Sequence, residues 1–324
     1  MTVFAVGGYF WAHSAAKARL AQKWPQVQGK DFPIPFPLTE AEVEVLRQNE
    51  LSSQPEGTDP SSVTISPERL ASIALERAVE RGRKLATSRL ACTECHGTEG
   101  QGGLIADAQP VWTWYAPNIT KASPVGRYSA SDWDRLVRHG VLPDDRNATM
   151  PSIDYQKLAD RDVSDLAAWA ASLPPKEGVT PSTEFGPVGT FLMAMGQLII
   201  SAEVIDHDQT TPIMPPAANI DLEFGQYVAQ TCVGCHGQDY TGGPIDGGDP
   251  NWPPATNLTP HESGLKAWTK AHWMSFWKDG KRPNGTQVDA SMPWKSLGSM
   301  SSTELEAMYL YFMSLEPVAA TPGS

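Results

Sequence analysis

The 324-residue chain is long enough for about two domains of ordinary size, each burying its own core. With 25 Lys and Arg against 37 Asp and Glu, its net charge is -12 and no basic block occurs, which excludes a nucleic-acid partner held by phosphate contacts. A hydrophobic content of 40% excludes a disordered chain, while 27 Gly and 28 Pro promise a compact fold with long loops.

The chain opens on residues 1–16, apolar apart from His13, which read as a short membrane anchor. Its basic residues, Lys17, Arg19 and Lys23, follow rather than precede it, an order that opposes the positive-inside tendency if the rest of the chain lies outside. Residues 17–66 form an extended N-terminal segment. It holds the proline-spaced run Phe32-Pro33-Ile34-Pro35-Phe36-Pro37, then Leu38-Thr39-Glu40-Ala41-Glu42, a capping box opening a short helix. Ser66-Pro67-Glu68 is a strong helix start, and the helix from Pro67 to Ser88 runs into Cys92-Thr93-Glu94-Cys95-His96. More than 30 residues rich in Gly and Pro follow, too long a loop for a compact domain unless something large fills it. A helix over Ser131 to Arg138, stopped by Gly140, and another over Val163 to Leu173, closed by proline, complete the unit. Residues 177–215 connect to a second unit. Their apolar stretch Val188 to Ile200 is too short to span a bilayer and reads as a helix wedged between domains. The same order then recurs: a helix over Asp221 to Thr231, the motif Cys232-Val233-Gly234-Cys235-His236, a helix over Lys270 to Trp277 stopped by Gly280, and a last one over Thr303 to Leu315.

The two motifs consume all four cysteines of the chain, and each is the C-x-x-C-H pattern of covalent haem attachment. Two cysteines about one helical turn apart reach the two vinyl groups as thioethers, and the adjacent histidine turns its imidazole onto the iron. A zinc site would need both domains to share one metal, and a thioredoxin-like dithiol would not need the histidine twice. Superposing the motifs at an offset of 140 residues pairs Gly102-Gly103 with Gly242-Gly243, Pro110 with Pro250, Trp112 with Trp252, Trp133 with Trp273 and Gly140 with Gly280. At 139, Asn118 and Thr120 meet Asn257 and Thr259; at 142, Met150-Pro151 meets Met292-Pro293, and Leu173 and Pro175 meet Leu315 and Pro317. The chain is therefore a tandem duplication, with units at 67–176 and 216–318 and a tail at 319–324, its period far too long for a solenoid.

An iron held by four porphyrin nitrogens and one histidine takes its sixth ligand from elsewhere, and the repeat selects it. Methionine in a core is usually packing, but Met150 and Met292 stand in matching Met-Pro pairs on the loop before the last helix. His139 aligns with Asp279 and His272 with Asp132, so neither is a shared ligand and a surface or helix-end role suits both; His13, His207 and His261 read as solvated.

On these residues both units resemble class I cytochrome c domains, and the chain from about residue 67 to 318 resembles the two-haem, membrane-associated bacterial c-type cytochromes. The resemblance implies an all-α fold of a few helices and long loops around each of two covalently attached haem c groups. It carries over Cys92, Cys95, His96 and Met150, then Cys232, Cys235, His236 and Met292, with His96, Met150, His236 and Met292 on iron. It implies that Asn118 and Asn257 order the loop beside the haem edge. It also implies that a proline carbonyl fixes the ligand histidine, with Pro110 and Pro250 as candidates, and that Trp112, Trp252, Trp133 and Trp273 pack near haem or fill the core. Closed irons imply electron transfer rather than catalysis, in the periplasm. The chain would be an anchored carrier or the cytochrome subunit of a respiratory or dehydrogenase complex, meeting redox protein partners through an acidic surface. A dihaem peroxidase shares the length and motifs but needs one iron able to open, and a purely structural subunit leaves two matched ligand sets unexplained.

Overall fold

The computed structural model describes residues 2–177, 180–245 and 251–320, with side chains from residue 10 onward. Helix α1 spans Thr2–Leu20 and α2 spans Glu40–Ser52. The first unit contains α3 (Pro67–Thr87), α4 (Cys92–His96), strands β1 (Gly103–Ala108) and β2 (Trp112–Ala116), α5 (Ala130–His139) and α6 (Asp160–Ser172). Strand β3 (Glu184–Phe185), α7 (Pro187–Ala194) and α8 (Ser201–Val204) lie in the connection. The second unit contains α9 (Leu222–Ala229), α10 (Val233–His236), α11 (Lys270–Asp279), α12 (Trp294–Leu297) and α13 (Ser302–Ser314).

The expected long helices form within a few residues of their sequence limits because their ends carry their own stops. Ser66 accepts from the Arg69 amide, Ser129 and Asp132 close a capping box on α5, and Ser301 and Glu304 close one on α13. Gly140 and Gly280 end α5 and α11 at φ 67° and 70°, a left-handed turn that glycine adopts without cost.

Each unit is framed by a close crossing of its first and last helices. A Cβ on Gly82 of α3 would lie 1.9 Å from the Asp165 carbonyl oxygen and 2.8 Å from Cβ of Trp169, both on α6. In the second unit a Cβ on Gly225 would lie 2.2 Å from the Ala307 carbonyl and 2.9 Å from Cβ of Tyr311. Backbone therefore meets backbone, with an aromatic residue one turn further on. Each crossing seals a core, one holding Leu90, Trp133, Val163 and Trp169, the other Val228, Trp273, Met308 and Phe312. The carboxylates buried on α6 are all paired, Asp165 with Arg81 at 2.6 Å, Asp162 with Arg89 at 2.6 Å and Asp160 with Arg138 at 2.8 Å.

The first unit departs from the helical expectation. Its long loop folds into an antiparallel hairpin, β1 on β2, and β3 adds to the far edge of β2. Trp-Thr-Trp-Tyr favours a strand; in the second unit the loop shows, among the described residues, the pairing of Gly243 with Ala255 where the first has Gly103 with Ala116. The sheet supports a third core that the sequence does not announce: Ala16, Trp24, Val111, Trp112, Met193 and Leu198 pack together. The stretch Val188 to Ile200 is thus not a helix wedged between the two haem-motif domains. Its first half forms the short α7, laid against α1 and so close to the hairpin that a Cβ on Gly189 would meet the Val111 carbonyl at 1.9 Å, and the rest is irregular. Among the described residues no helix is long and apolar enough to cross a membrane, so the anchor expected at residues 1–16 meets no spanning helix; Ala12 and Ala16 of α1 are buried.

The capping box at Thr39 forms as expected. Glu42 also meets Arg161 at 3.1 Å and Arg77 at 3.5 Å, fastening α2 to the first unit. Against the upward push of burial, the Thr39 amide and hydroxyl and the Arg161 guanidinium hold Glu42 at about 2, below its ordinary 4.5. A depressed carboxylate stabilises the fold fully above its unfolded pKa and loses that contribution as pH falls through the folded one. Stability measured against urea should therefore fall more steeply between pH 4.5 and 2 in the native chain than in Glu42→Gln. Gly82→Ala and Gly225→Ala should each lower stability by about 1–3 kcal/mol through the forced separation of helices, read as a lower urea midpoint.

Candidate haem-binding sites

In the first unit the chain leaves α3 and turns through Ala91, held left-handed at φ 47°, directly into α4, which places Cys92, Cys95 and His96 on one helical turn. Gly102 then brings the loop back. Its N–H donates to the His96 carbonyl at 2.8 Å, and at φ 73° with the Ala116 carbonyl 2.5 Å from where a Cβ would sit, only glycine fits. The second unit repeats this: Gly242, φ 77°, donates to the His236 carbonyl at 2.9 Å with the Ala255 carbonyl 2.3 Å from its absent Cβ.

This return delivers a main-chain carbonyl to each imidazole. Nδ1 of His96 donates to the Pro117 carbonyl at 2.8 Å, and Nδ1 of His236 to the Thr256 carbonyl at 2.7 Å. A carbonyl only accepts, so Nδ1 carries the hydrogen and Nε2 keeps its lone pair for a metal. Burial pushes both histidines below their ordinary value, the carbonyl bond acting the other way, so the imidazoles are neutral at pH 7, as an iron ligand must be. Burial also pushes the Cys92 thiol up to about 12 and raises Cys232, so neither is poised as the reactive thiolate of a dithiol redox site. Among the described residues no three His, Cys, Asp or Glu side chains gather as a metal cage.

The expectation for Pro110 is corrected. Its carbonyl accepts from the Val188 amide at 3.1 Å, and the histidine's partner is Pro117, seven positions later, because the hairpin carries Pro110 out to the third core. Pro250 lies outside the described residues; the carbonyl at His236 is that of Thr256, which stands where Pro117 does in the repeat. A backbone acceptor needs no particular side chain, so residue type was a poor guide to it.

Met150 and Met292 open the same local structure. The Ser152 amide donates to the Met150 carbonyl at 2.8 Å and the Trp294 amide to the Met292 carbonyl at 2.7 Å. The intervening Pro151 and Pro293 sit at φ -75°, ψ 63° and φ -77°, ψ 51°. This is an inverse γ-turn, whose φ the proline ring presets. The hairpins before it also match, with the Ala148 amide on the Gly140 carbonyl at 2.8 Å and the Val288 amide on Gly280 at 2.9 Å. Met150 packs against the same core as Cys92, and Met292 against the same core as Cys232. The residues present thus fit haem c twice: two thiols, a neutral imidazole with a free Nε2, and a thioether at the same core.

Asn118 and Asn257 brace the loops without supplying a ligand. Each side-chain oxygen accepts from the amide two residues on, Thr120 and Thr259, at 2.8 Å. Each side-chain nitrogen donates to a carbonyl beyond the last helix, Lys176 at 2.6 Å and Val318 at 2.7 Å. Trp133 and Trp273 belong to the cores that flank the motifs and Trp112 fills the third core, whereas Trp252 is 38% exposed and does not pack as expected. His139 is buried, with Nδ1 3.1 Å from Nδ1 of His207 and Nε2 3.5 Å from Asp134. His207, expected in solvent, is half-buried, its Nε2 donating to the Ala202 carbonyl at 2.9 Å. His272 accepts from the Thr269 amide at 3.4 Å and caps its helix.

Sequence reasoning passed over three features of the site. The Gly82 and Gly225 crossings were detectable as a glycine and an aromatic recurring at matching places in the repeat. Pro117 and Thr256 were not, because any residue can offer a carbonyl. Asp154, four residues past Met150, is the third: it abuts Gly234 of the other motif, burial pushes its carboxyl up to about 7 against the pull of the Gly234 amide, and its Oδ1 has no hydrogen-bond partner.

The cytochrome c family model matches residues 223–316, and that of cbb3-type cytochrome c oxidase subunit III matches residues 77–169. The chain is 28% identical over 281 residues to the gluconate 2-dehydrogenase cytochrome c subunit of Pantoea cypripedii, covering 75% of this chain and 60% of that protein. It is 25% identical over 271 residues to the cytochrome c subunit of the quinone alcohol dehydrogenase of Gluconacetobacter polyoxogenes, covering 72% and 55%. It is also 25% identical over 264 residues to a subunit of the nicotinate dehydrogenase of Pseudomonas putida, covering 74% of this chain and 21% of that one. The chain thus spans little more than half the length of the first two relatives.

Asn257→Ala, which leaves the buried Thr259 amide without its acceptor and takes one of two donors from the Val318 carbonyl, should cost about 1–3 kcal/mol in urea unfolding while leaving covalent haem in place.

Proposed function

We propose that this chain, a two-domain c-type cytochrome, is an electron-transfer subunit. It takes electrons from a dehydrogenase and passes them to an acceptor on the periplasmic side of the bacterial inner membrane. The observation that carries the reading is the duplicated site: the same histidine–carbonyl bond and the same Met-Pro turn occur in both units. The names of the relatives, cytochrome c subunits of gluconate and alcohol dehydrogenases, support a place in such a complex rather than an activity of its own.

Haem c supplies reversible one-electron chemistry when bound. Cys92 and Cys95, and Cys232 and Cys235, hold it through thioethers. His96 and His236 present Nε2, their rings fixed by the Pro117 and Thr256 carbonyls. Met150 and Met292 would each offer a thioether sulfur to the haem, which favours electron transfer over peroxide or oxygen chemistry and a raised potential. The site residues are therefore ligands and fasteners, with no proton to move and no substrate to orient. The net charge of -12 favours a partner whose docking face is basic. Membrane contact falls in this reading to residues 1–16, where Phe10 and Trp11 are exposed on α1, as an apolar surface against lipid or a membrane subunit.

Mass spectrometry after acid-acetone extraction should find both haem masses still on the chain; a chain that loses one lacks that attachment. Met150→Ala and Met292→Ala should each abolish one oxidised near-infrared methionine band and lower one potential. An unchanged spectrum in either variant would move that ligand to another residue.

A further inference from the structure

The seam between the two units obeys the duplication. Asp154 lies four residues after Met150, and Ser296 four residues after Met292. Gly234 and Glu94 are the residues just before the second cysteine of each motif. Asp154 packs on Gly234 of the other unit, so tightly that a Cβ there would lie 2.0 Å from its Oδ1. Ser296 reciprocates, its hydroxyl donating to Oε1 of Glu94 in the first motif. Residue i of one unit thus meets residue j of the other, and the equivalent of i meets the equivalent of j, which is the signature of a twofold, self-complementary interface.

The middle of the seam agrees. Beside the motifs the two units touch directly, the Thr231 hydroxyl donating to the Arg89 carbonyl at 2.9 Å. At the offset of 142 that holds from Met150 onward, Asp162 and Glu304 are equivalents, and Arg89 meets both, at 2.6 and 3.8 Å. Tyr227 closes the group: its ring lies 5.1 Å from the Arg89 guanidinium carbon, its hydroxyl donates to Asp162 at 2.7 Å and accepts from the Ala159 amide at 2.7 Å.

We propose that the reciprocal clamp of Asp154 on Gly234 and Ser296 on Glu94 is a positioning device that holds the two C-x-x-C-H motifs face to face, so that electrons cross between the domains at this seam. The inference rests on the reading that both motifs carry haem. One electron leaves one domain and enters the other, one iron oxidised as the other is reduced; no bond forms or breaks. Tyr155, next to the clamp, strengthens the assignment, because its hydroxyl donates at 3.1 Å to the Leu90 carbonyl, two residues before Cys92, and so ties the methionine loop of the first unit to its own motif.

The test uses the full haem-loaded chain. Gly234→Ala drives a methyl group into Asp154, and Gly234→Ala combined with Asp154→Ala removes the obstruction. Transfer between the haems is followed after flash photoreduction, and the magnetic coupling of the two ferric irons by electron paramagnetic resonance. Gly234→Ala should slow transfer several-fold and weaken the coupling, with both haems attached and both methionine bands intact, and the double variant should recover both. Ser296→Leu, at the other end of the clamp, should act in the same direction. Unchanged rate and coupling in Gly234→Ala and Ser296→Leu would overturn the clamp. Loss of a haem or a methionine band in the unsubstituted protein would instead count against the ligand reading beneath it.

Discussion

Everything in this protein hangs on two places where helix backbones touch. At Gly82 on Asp165 and at Gly225 on Ala307 the approach is closer than any side chain allows, and it fixes the first and last helices of each unit as a rigid frame. The C-x-x-C-H turn leaves from the end of that frame, which fixes the direction from which the motif enters the site. The crossing also brings Trp169 and Tyr311 against the first helix, sealing the core on which Met150 and Met292 later pack.

Between the frame helices the chain is mostly irregular, and its order is local. A glycine returns each loop to the histidine carbonyl, an asparagine ties it to the residues beyond the last helix, and a proline sets the turn that follows the methionine. Each device satisfies backbone groups that a long loop would leave unpaired, which lets so little secondary structure surround a buried group. Both units use the same devices, so the two candidate sites differ in their surroundings rather than in their local backbone geometry. The first unit is enclosed by the hairpin, the α1–α7 pair and the α2 segment; the second stands without such a cover among the described residues.

The seam adds a constraint that neither unit has alone. Arg89 is nearly fully buried, pairs closely with Asp162 of its own unit, and meets Glu304 and the face of Tyr227 across the seam, so separating the units would strip partners from a guanidinium that water does not reach. A joint of this kind keeps the domains from drifting, and rigid spacing is what transfer between two fixed centres requires.

The sequence by itself determined the chemistry and the helical plan. Covalent attachment demands cysteines at one spacing with a histidine beside them, caps and stops are written in local residue types, and duplication marked Met150 and Met292 out from the other methionines. What depends on which backbone reaches which was decided only in three dimensions. A carbonyl acceptor has no side-chain signature, so Pro117 and Thr256 could not be distinguished from other loop residues, and Pro110 was drawn away by a hairpin whose strands are too short to stand out. Val188 to Ile200 showed its apolarity but not its partner, because burial against α1 and Val111 joins segments that lie far apart along the chain. The reciprocal contacts of Asp154 and Ser296 likewise exist only once the two units are docked, since complementarity between surfaces is a property of their placement and not of either sequence alone.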